Sequence, residues 1–379
     1  MKHISPSDSH LQFVGRIDFS NPEAPSFSHP GVSVRIRFTG SRLHVLLEDS
    51  AHRQSPETTN YFNVIVDNQK PIRMKTTPAE QTYVLAHNLS PGEHEVVLFK
   101  RSESSHGDDL NVGKVTIHGF RIDADADLLQ VPKKRWRMEF IGDSITCGYG
   151  NEFSSPNPVN DHFTTLNSNA YMAWGAIAAR KLDADYMSVA YSGRGVVRNY
   201  GGHDSPTIPD IYLQTLPDDP KAAPWQPANY IPHIVVINLG TNDFSEGLPP
   251  GPAIDDLQKR YGERYQSFVM ELQGYYPQAT FVIAFGPMLS DSFPPEYQAL
   301  HRVRTELTRM VNELRSTGME IHLLELTPQQ PPFGEDFHPT VATHQRMAKK
   351  LVRFLSQHGI GPKKDPYKKQ VPKKSRPSS

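Results

Sequence analysis

The organisation of this chain follows from one octapeptide, Glu139-Phe140-Ile141-Gly142-Asp143-Ser144-Ile145-Thr146. The apolar run from Met138 to Ile141 is typical of a buried strand. Gly142 permits a sharp exit from that strand, so Asp143 and Ser144 are predicted at the C-terminal edge of a sheet, where open α/β sheets bind their ligands. Gly-Asp-Ser also suits a simple turn or a helix N-cap. Its meaning therefore depends on what the other strand ends carry.

The bulk composition limits the classes of function. With 379 residues the chain is long enough for two domains. Lys plus Arg number 40 and Asp plus Glu number 41, a balance that argues against nucleic acid or an anionic membrane as partner. The lone Cys147 excludes an intramolecular disulfide. No apolar run approaches the roughly 20 residues of a membrane span, and residues 1–6 lack the apolar core of a signal peptide. We expect a cytoplasmic protein, or a secreted one whose signal has been removed.

Residues 11 to about 125 carry the pattern of β-structure. Val34, Ile36 and Phe38 alternate with polar residues, as in a half-buried strand. Similar runs, separated by turn signals, recur at residues 43–47, 61–66, 83–85, 95–99 and 115–117. Many short strands without a helical period are typical of an antiparallel sandwich. The sequence predicts a jelly-roll-like β-sandwich over residues 1–132.

The pattern changes after residue 132. Strand-like runs at 137–141, 186–190, 233–239, 280–285 and 320–326 alternate with helical runs at about 169–182, 254–274, 296–316 and 341–357. This alternation predicts an α/β domain over residues 133–358, with a parallel sheet and helices on both faces. Residues 359–379 are basic and proline-rich, and we predict a disordered tail there.

Each strand end of the second domain presents a polar or glycine-rich group. These groups are Gly142-Asp143-Ser144, the block Tyr191–Gly195, the block Gly240–Asp243 and, before the last helix, the block Glu335–Pro339. One edge of a parallel sheet brings them together although they are far apart along the chain. They provide a hydroxyl, a glycine N–H, a side-chain amide and an imidazole beside carboxylates. Those are the parts that serine-based acyl transfer needs.

In this order, the four blocks resemble those of the SGNH (GDSL-type) hydrolases, and the resemblance covers about Arg137 to Gln357. The preceding sandwich, Ser192-Gly193-Arg194-Gly195 and the run from His338 to His344 resemble more closely carbohydrate esterase family two, the two-domain acetyl-sugar esterases. The resemblance implies a β-sandwich followed by an SGNH (flavodoxin-like) α/β hydrolase domain.

The resemblance also assigns catalytic roles. Ser144 matches the nucleophile and His338 matches the general base, which takes the hydroxyl proton as Ser144 attacks an ester carbonyl. Common SGNH enzymes carry an aspartate three residues before this histidine, where the present chain has Glu335. Asp336, two residues before it, fits the sugar esterases, some of which lack this carboxylate. We expect Asp336 to orient His338, with Glu335 as the alternative.

An oxyanion hole is implied as well, that is, a set of donors that stabilises negative charge on the carbonyl oxygen. Asn242 matches its side-chain donor. Gly195 is expected to supply a backbone N–H, with Gly193 as second choice, and the N–H of Ser144 is a third donor.

Aromatic residues in loops at the same sheet edge are candidates for a sugar-binding surface. They are Tyr149, Phe153, Tyr200, Trp225 and Phe244. We predict that Trp225 and Phe244 contact substrate; the alternative for each aromatic is packing that anchors its own loop.

The resemblance implies an enzyme that removes O-acetyl groups from sugars or plant polysaccharide fragments, such as acetylated xylan or glucomannan, through an acetyl-enzyme. The sequence has no zinc signature and no cysteine cluster, and the chemistry requires neither a metal nor an organic cofactor. The expected partner is an acetylated oligosaccharide or polysaccharide, not nucleic acid or a membrane, and the oligomeric state stays open. The alternatives are an acyltransferase or general short-chain esterase on the same site, and an inactive carbohydrate-binding protein.

Overall fold

The computed structural model describes residues 1–51, 54–104, 113–157, 159, 163–219 and 221–361. Within these residues the N-terminal part forms short strands throughout. They are β1 (Lys2–Ile4), β2 (Gln12–Val14), β3 (Ser26–Phe27), β4 (Ser33–Thr39), β5 (Leu43–Asp49), β6 (Tyr61–Val66), β7 (Ile72–Lys75), β8 (Ala79–Ala86), β9 (Glu93–Lys100), β10 (Val115–Ile122) and β11 (Leu128–Leu129).

These strands pair antiparallel in two sheets that face each other. One sheet has the order β1-β10-β5-β8 with β3 beside β10, and the other has β11-β4-β9-β6-β7 with β2 beside β4. In β4 the side chains of Val34, Ile36 and Phe38 are buried between the sheets, and their neighbours along the strand are half-buried. The predicted sandwich is therefore confirmed, and period-two alternation is what builds its core.

The C-terminal part alternates strands and helices. Its elements are β12 (Trp136–Gly142), α1 (Ser144–Cys147), α2 (Trp174–Lys181), β13 (Ala184–Ala190), α3 (Ile208–Ile211), β14 (Ile234–Asn238), α4 (Pro252–Tyr275), β15 (Thr280–Phe285), α5 (Ala299–Ser316), β16 (Ile321–Glu325) and α6 (Val341–Gln357). Short 3-10 turns lie at Ala170–Met172, Tyr200–Gly202, Pro227–Asn229 and Glu335–Phe337. None of the helices in the described ranges is long and apolar enough to cross a membrane.

The five strands β12 to β16 form one parallel sheet in the order β13-β12-β14-β15-β16, which confirms the α/β prediction. The first strand of the domain, β12, has β13 on one side and β14 on the other. The connections from β12 and β13 therefore diverge, and a crevice opens at the C-terminal end of β12. Ser144 lies at that position.

Residues of β14 face two different cores in alternation. Val235 and Ile237 share one core with residues of α4 and α5. Ile234 and Val236 share the other with residues of α2 and α6. The continuous apolar run of this strand follows from burial on both faces.

The sequence predicted a domain boundary after residue 132 and a basic tail from residue 359. The predicted boundary after residue 132 falls between β11 and β12, in a stretch without regular structure. The predicted basic tail, residues 359–379, lies outside the described residues from residue 362 onward.

The sandwich and the α/β domain meet in a buried interface that includes an ion pair. Nη2 of Arg16 lies 3.0 Å from Oε1 of Glu139 in β12, and both side chains are fully buried. Nη1 of Arg16 donates to the carbonyl of Tyr212 at 2.6 Å, and the Tyr212 hydroxyl lies 3.1 Å from each Glu139 oxygen. Each charge is thus compensated by the other and by additional hydrogen bonds, which is the condition under which buried ions are tolerated.

We predict that Arg16→Ala lowers the free energy of unfolding by about 3–5 kcal/mol, because it leaves the Glu139 carboxylate buried without its charge partner. Urea denaturation measures this change. Arg260→Ala is the control, since Arg260 and Asp256 form a pair that is largely exposed and is expected to contribute about 0.5 kcal/mol or less. Equal losses of unfolding free energy in Arg16→Ala and Arg260→Ala would contradict a buried Arg16–Glu139 ion pair. The double variant Arg16→Met with Glu139→Met should lose less unfolding free energy than Arg16→Ala alone, because it leaves no unpaired charge.

Candidate active site

The nucleophile candidate lies at the turn from β12 into α1. Oδ1 of Asp143 accepts the Ile145 N–H at 3.0 Å and so caps the helix that begins at Ser144. Gly142 is required at this turn, since a Cβ there would lie 2.1 Å from Oγ1 of Thr146. The hydroxyl of Ser144 is thereby held at the C-terminal edge of the sheet.

His338 faces this hydroxyl. Its Nε2 lies 2.7 Å from Oγ of Ser144. Its Nδ1 lies 3.0 Å from the carbonyl oxygen of Glu335 and 3.1 Å from that of Asp336. Because carbonyl oxygens only accept hydrogen bonds, Nδ1 carries the proton and Nε2 is free to accept the proton of Ser144. Burial lowers the pKa of His338 to about 4, so the imidazole is neutral near pH 7 and can act as a base.

The two carboxylates predicted to orient His338 point elsewhere. The buried Glu335 carboxylate accepts the Thr164 N–H and hydroxyl, each at 2.9 Å, and the Asn167 amide at 2.6 Å. Oδ2 of Asp336 accepts the hydroxyl of Tyr149 at 2.5 Å. In this structure the carbonyl oxygens of Glu335 and Asp336 contact Nδ1 of His338, and the Asp336 carboxylate contacts Tyr149. That Asp336 orients His338 stays a prediction.

Asp336 acts on the imidazole through Tyr149. The Tyr149 ring stacks on the His338 ring with 4.1 Å between centroids. On its other side lies the ring of Phe163, at 4.6 Å. The imidazole is therefore held in its plane by aromatic packing. Sequence reasoning placed Tyr149 only among the loop aromatics; its position five residues after Ser144 was the available signal.

We predict that Asp336→Asn lowers kcat less than about 10-fold, whereas loss of an orienting triad aspartate costs about 10⁴-fold. The amide oxygen can still accept from Tyr149, and the main-chain acceptors of Nδ1 are unchanged. Hydrolysis of a chromogenic acetyl ester measures kcat. Tyr149→Phe, which keeps the ring and removes the hydroxyl, should give a change of similar size. A loss above about 10³-fold in Asp336→Asn would restore the carboxylate to the triad.

The glycine block follows β13, which pairs with β12 in the sheet. The Gly195 N–H already donates to Oδ1 of Asn199 at 3.0 Å, and a Cβ on Gly195 would lie 2.1 Å from the Arg198 carbonyl oxygen. Gly193 has φ +77°, and among the described residues its N–H has no acceptor. The expectation for Gly195 is therefore corrected: it is a turn residue, and Gly193 carries the open donor.

Asn242 approaches the same place from the loop after β14. Its Nδ2 donates to the Arg194 carbonyl at 2.9 Å and lies 3.5 Å from Oδ2 of Asp143. The next residue, Asp243, accepts the N–H groups of Val196 and Val197 at 2.9 and 2.8 Å, and burial raises its pKa to about 6. This carboxylate ties the loop after β14 to the glycine block, a role that sequence reasoning did not assign.

The aromatic residues predicted to contact substrate are both buried elsewhere, and this prediction is corrected. Trp225 is 7% exposed and packs over the guanidinium of Arg16, 4.7 Å from its ring centroid. Phe244 is 1% exposed and packs edge-on against Tyr261 in the core beside α4. Their positions follow from packing between elements that are distant in sequence.

Two other aromatic side chains are exposed beside the site. Phe337, which immediately precedes His338, is 42% exposed, and Tyr200 is 64% exposed. Cβ of Tyr200 is the nearest atom to a Cβ built on Gly193, at 3.9 Å. Tyr200 was among the candidate aromatics and Phe337 was missed, although its place next to His338 was a usable signal.

The sandwich contributes a buried acid near the nucleophile, which sequence reasoning also missed. Glu103 follows β9, is 5% exposed and faces Ser192 and Cys147. Burial raises its pKa to about 7. No local pattern distinguishes this glutamate from a surface residue, since its burial depends on the contact between the two domains.

Neither of the other conspicuous nucleophile or base candidates fits the site. Cys147 is buried, and burial raises the pKa of its thiol. Nδ1 of His344 accepts the Trp174 N–H at 3.2 Å in the core. Within the described ranges, no cluster of three His, Cys, Asp or Glu side chains is arranged to hold a metal ion.

The pH dependence of kcat/KM should reflect the lowered pKa of the half-buried His338. Activity requires the neutral imidazole, so we predict that it is lost as the pH falls through about 4, not through the ordinary value of 6.5. The groups around this ring are the Tyr149 phenol, His344 and the Glu335 and Asp336 carboxylates. The same shift lowers the free energy of unfolding as the pH falls from about 6.5 to about 4, because in this range the unfolded chain takes up the His338 proton and the folded chain does not. Ester hydrolysis from about pH 3.5 to about pH 8 tests this prediction, and an acidic midpoint near 6.5 would contradict it.

Each of the two parts of the chain matches a known protein family. A family model for the carbohydrate esterase 2 N-terminal domain matches residues 13–132, and the model of the GDSL-like lipase/acylhydrolase family matches residues 140–346. The chain is 36% identical over 347 residues to the cellulase/esterase CelE of Acetivibrio thermocellus, covering 90% of this chain and 39% of that protein. It is 30% identical over 359 residues to an acetylxylan esterase/glucomannan deacetylase of Cellvibrio japonicus, covering 93% of this chain and 90% of the relative.

Solved structures agree with these relatives. The family two carbohydrate esterase from Clostridium thermocellum in complex with cellohexaose superposes with a TM-score of 0.79 at 34% identity, covering 92% of this chain and 98% of that one. A family two carbohydrate esterase from Cellvibrio japonicus gives 0.79 at 28% identity, covering 94% and 97%.

Proposed function

This chain belongs to the GDSL-like lipase/acylhydrolase family and, within it, to the family two carbohydrate esterases, and we propose that it removes O-acetyl groups from plant polysaccharide fragments. Its relatives are named as esterases, and the Ser144–His338 pair supports a serine-type carboxylic ester hydrolase here. The observation that carries the proposal is the 2.7 Å contact between the Ser144 hydroxyl and Nε2 of a half-buried, neutral His338. Xylan and glucomannan are proposed as substrates because a relative that is matched over 90% of its own length is named for both.

In the first half-reaction the Ser144 Oγ attacks the acetyl carbonyl carbon while its proton passes to Nε2 of His338. The carbonyl oxygen becomes negatively charged and takes hydrogen bonds from the N–H of Gly193 and from Asn242. The amide of Asn242 has two hydrogens: the Arg194 carbonyl accepts one at 2.9 Å, and the long 3.5 Å contact with Oδ2 of Asp143 is the one that the oxyanion would replace. The intermediate collapses as the sugar oxygen leaves with the proton from Nε2.

The second half-reaction releases acetate. Water gives a proton to Nε2 of His338 and attacks the acetyl-enzyme carbonyl, and the same donors stabilise the new oxyanion. The intermediate then expels the Ser144 oxygen, which takes the proton back from Nε2. The main-chain acceptors of Nδ1 keep Nε2 directed at the reacting atoms throughout.

Tyr200 and Phe337 are proposed as the walls for the sugar rings. Tyr200 lies beside Gly193 and Phe337 precedes His338, so the two exposed aromatics flank the reacting atoms. Aromatic faces offer large apolar area to a carbohydrate ring. A solved relative, the Clostridium thermocellum esterase, holds cellohexaose, which supports an oligosaccharide as ligand here.

Acetate release from acetylated xylan and glucomannan oligosaccharides by the wild type and by Ser144→Ala tests the proposed function. We expect the variant to lose about 10⁴-fold or more in kcat, because without the hydroxyl no acyl-enzyme forms. Release at equal rates would remove Ser144 from the mechanism. Absence of release by the wild type would refute the esterase proposal, and transfer to an added sugar acceptor would then identify a transferase.

Phe337→Ala and Tyr200→Ala should raise KM for acetylated oligosaccharides about 5- to 30-fold, since each removes about 1–2 kcal/mol of apolar contact with the sugar. Their kcat/KM for a small chromogenic acetate should change little, because that ester has no sugar ring. Tyr275→Ala is the matched control: Tyr275 is 40% exposed but ends α4, at the opposite edge of the sheet. Equal effects on both substrates would argue against a sugar platform.

A further inference from the structure

We propose that Arg101, a residue of the sandwich domain, is a positioning residue for the base His338. The proposal rests on the proposed function, since it concerns the geometry of the same Ser144–His338 pair. Arg101 follows β9 and is 3% exposed. A buried guanidinium at a domain boundary needs several acceptors. Nη1 of Arg101 donates to Oδ1 of Asn63 in β6 at 3.3 Å, and the acceptors of Nη2 lie on the loop that supports the histidine.

Arg101 contacts the loop between α1 and α2. Nη2 of Arg101 lies 2.5 Å from Oε2 of Glu152, 3.1 Å from the Leu166 carbonyl and 3.4 Å from the Ser168 carbonyl. Oε1 of Glu152 in turn accepts the Asn169 amide at 2.6 Å. A single guanidinium nitrogen, Nη2, thus contacts residues at both ends of this loop.

The same loop is hydrogen-bonded to Glu335. Thr164 and Asn167, which lie between Glu152 and Ser168, donate three hydrogen bonds to the Glu335 carboxylate. Glu335 is fully buried, so a displaced donor would leave part of its charge unsatisfied. The position of Glu335 is therefore tied to the loop that Arg101 holds.

Glu335 in turn contacts the imidazole of His338. The carbonyl of Glu335 accepts from Nδ1 of His338 at 3.0 Å. The two residues between them, Asp336 and Phe337, have φ of +47° and +61°. Such left-handed non-glycine residues cost about 1–3 kcal/mol each and persist only when the surroundings hold them. The anchored Glu335 side chain supplies that restraint at one end of the loop.

If Arg101 only held the two domains together, its loss would have the same effect as the loss of any other contact across the domain boundary. Lys114 of the sandwich also crosses the domain boundary, where its Nζ lies 2.9 Å from Oδ2 of Asp219. The described contacts of this pair do not lead to the His338 loop. Lys114→Ala is therefore the control for a weakened domain interface without a displaced base.

The test uses the full chain and the pH dependence of two reactions: acetate release from acetylated xylan oligosaccharides, and covalent modification of Ser144 by a fluorophosphonate. Rates are normalised to the folded fraction from urea denaturation. We expect Arg101→Ala to lower both rates about 10- to 100-fold, with KM nearly unchanged, because the base is misplaced. The acidic midpoint should move up from its wild-type value toward 6.5, because the loosened imidazole is more accessible to water.

Milder variants keep the proposal testable if Arg101→Ala does not fold. Arg101→Lys keeps the charge and one donor and should lie between the wild type and Arg101→Ala. Glu152→Gln, at a residue that is partly exposed, should shift the midpoint in the same direction. Wild-type midpoints and rates in these variants would overturn the proposal, as would an equal shift in Lys114→Ala. A wild type that reacts with the fluorophosphonate but releases no acetate would refute the proposed substrate while leaving the Arg101 comparison decisive.

Discussion

The hydrogen bond between the Ser144 hydroxyl and Nε2 of His338 is the contact on which the chemistry depends, and it joins residues 194 positions apart. At 2.7 Å the bond leaves little room for displacement, since hydrogen bonds weaken quickly with distance and angle. Ser144 is held by a central strand and a capped helix. His338 lies on a loop that contains only one 3-10 turn. The hydrogen bonds of Glu335 to Thr164 and Asn167 hold that loop.

Main-chain oxygens at Nδ1 have an electrostatic consequence. They select the tautomer that leaves Nε2 free, as a carboxylate would, but they carry no full negative charge. The opposing effect of burial then dominates, and the pKa of the imidazole falls to about 4. An adjacent carboxylate would stabilise the imidazolium more strongly. The lowered pKa keeps His338 neutral near pH 7. It also makes the imidazole a weaker base, because its affinity for the proton is lower.

The two domains are joined by more than apolar contact. Arg16 meets Glu139 in the middle of β12, Arg101 meets the loop behind His338, and Glu103 lies beside Ser192. Each is an ionisable residue of the sandwich that is buried in the folded chain. Separating the domains would expose one partner of each set and leave the sheet edge open. The sandwich is consequently part of the framework around the site and not only a neighbouring module.

Much of the fold could be read from local pattern. The strand alternation in β4 and the helix from Val341 to Gln357 were predicted to within a residue or two, because burial on one face leaves a period in the sequence. The order of the polar blocks at the strand ends placed Ser144, Asn242 and His338 at one sheet edge for the same reason. Parallel strands carry their C-terminal ends to the same side whatever the loops between them do.

The sequence by itself determined the fold class, the family and the set of chemical groups at the sheet edge. Only the tertiary structure decided which of these groups are available. Asp336 turns to Tyr149, the Gly195 N–H is taken by Asn199, and Trp225 lies on Arg16, whereas Phe337 and Tyr200 remain exposed. The physical reason is that periodicity and turn chemistry are local, while a side chain's direction, its exposure and the partner of each N–H depend on residues brought together by folding.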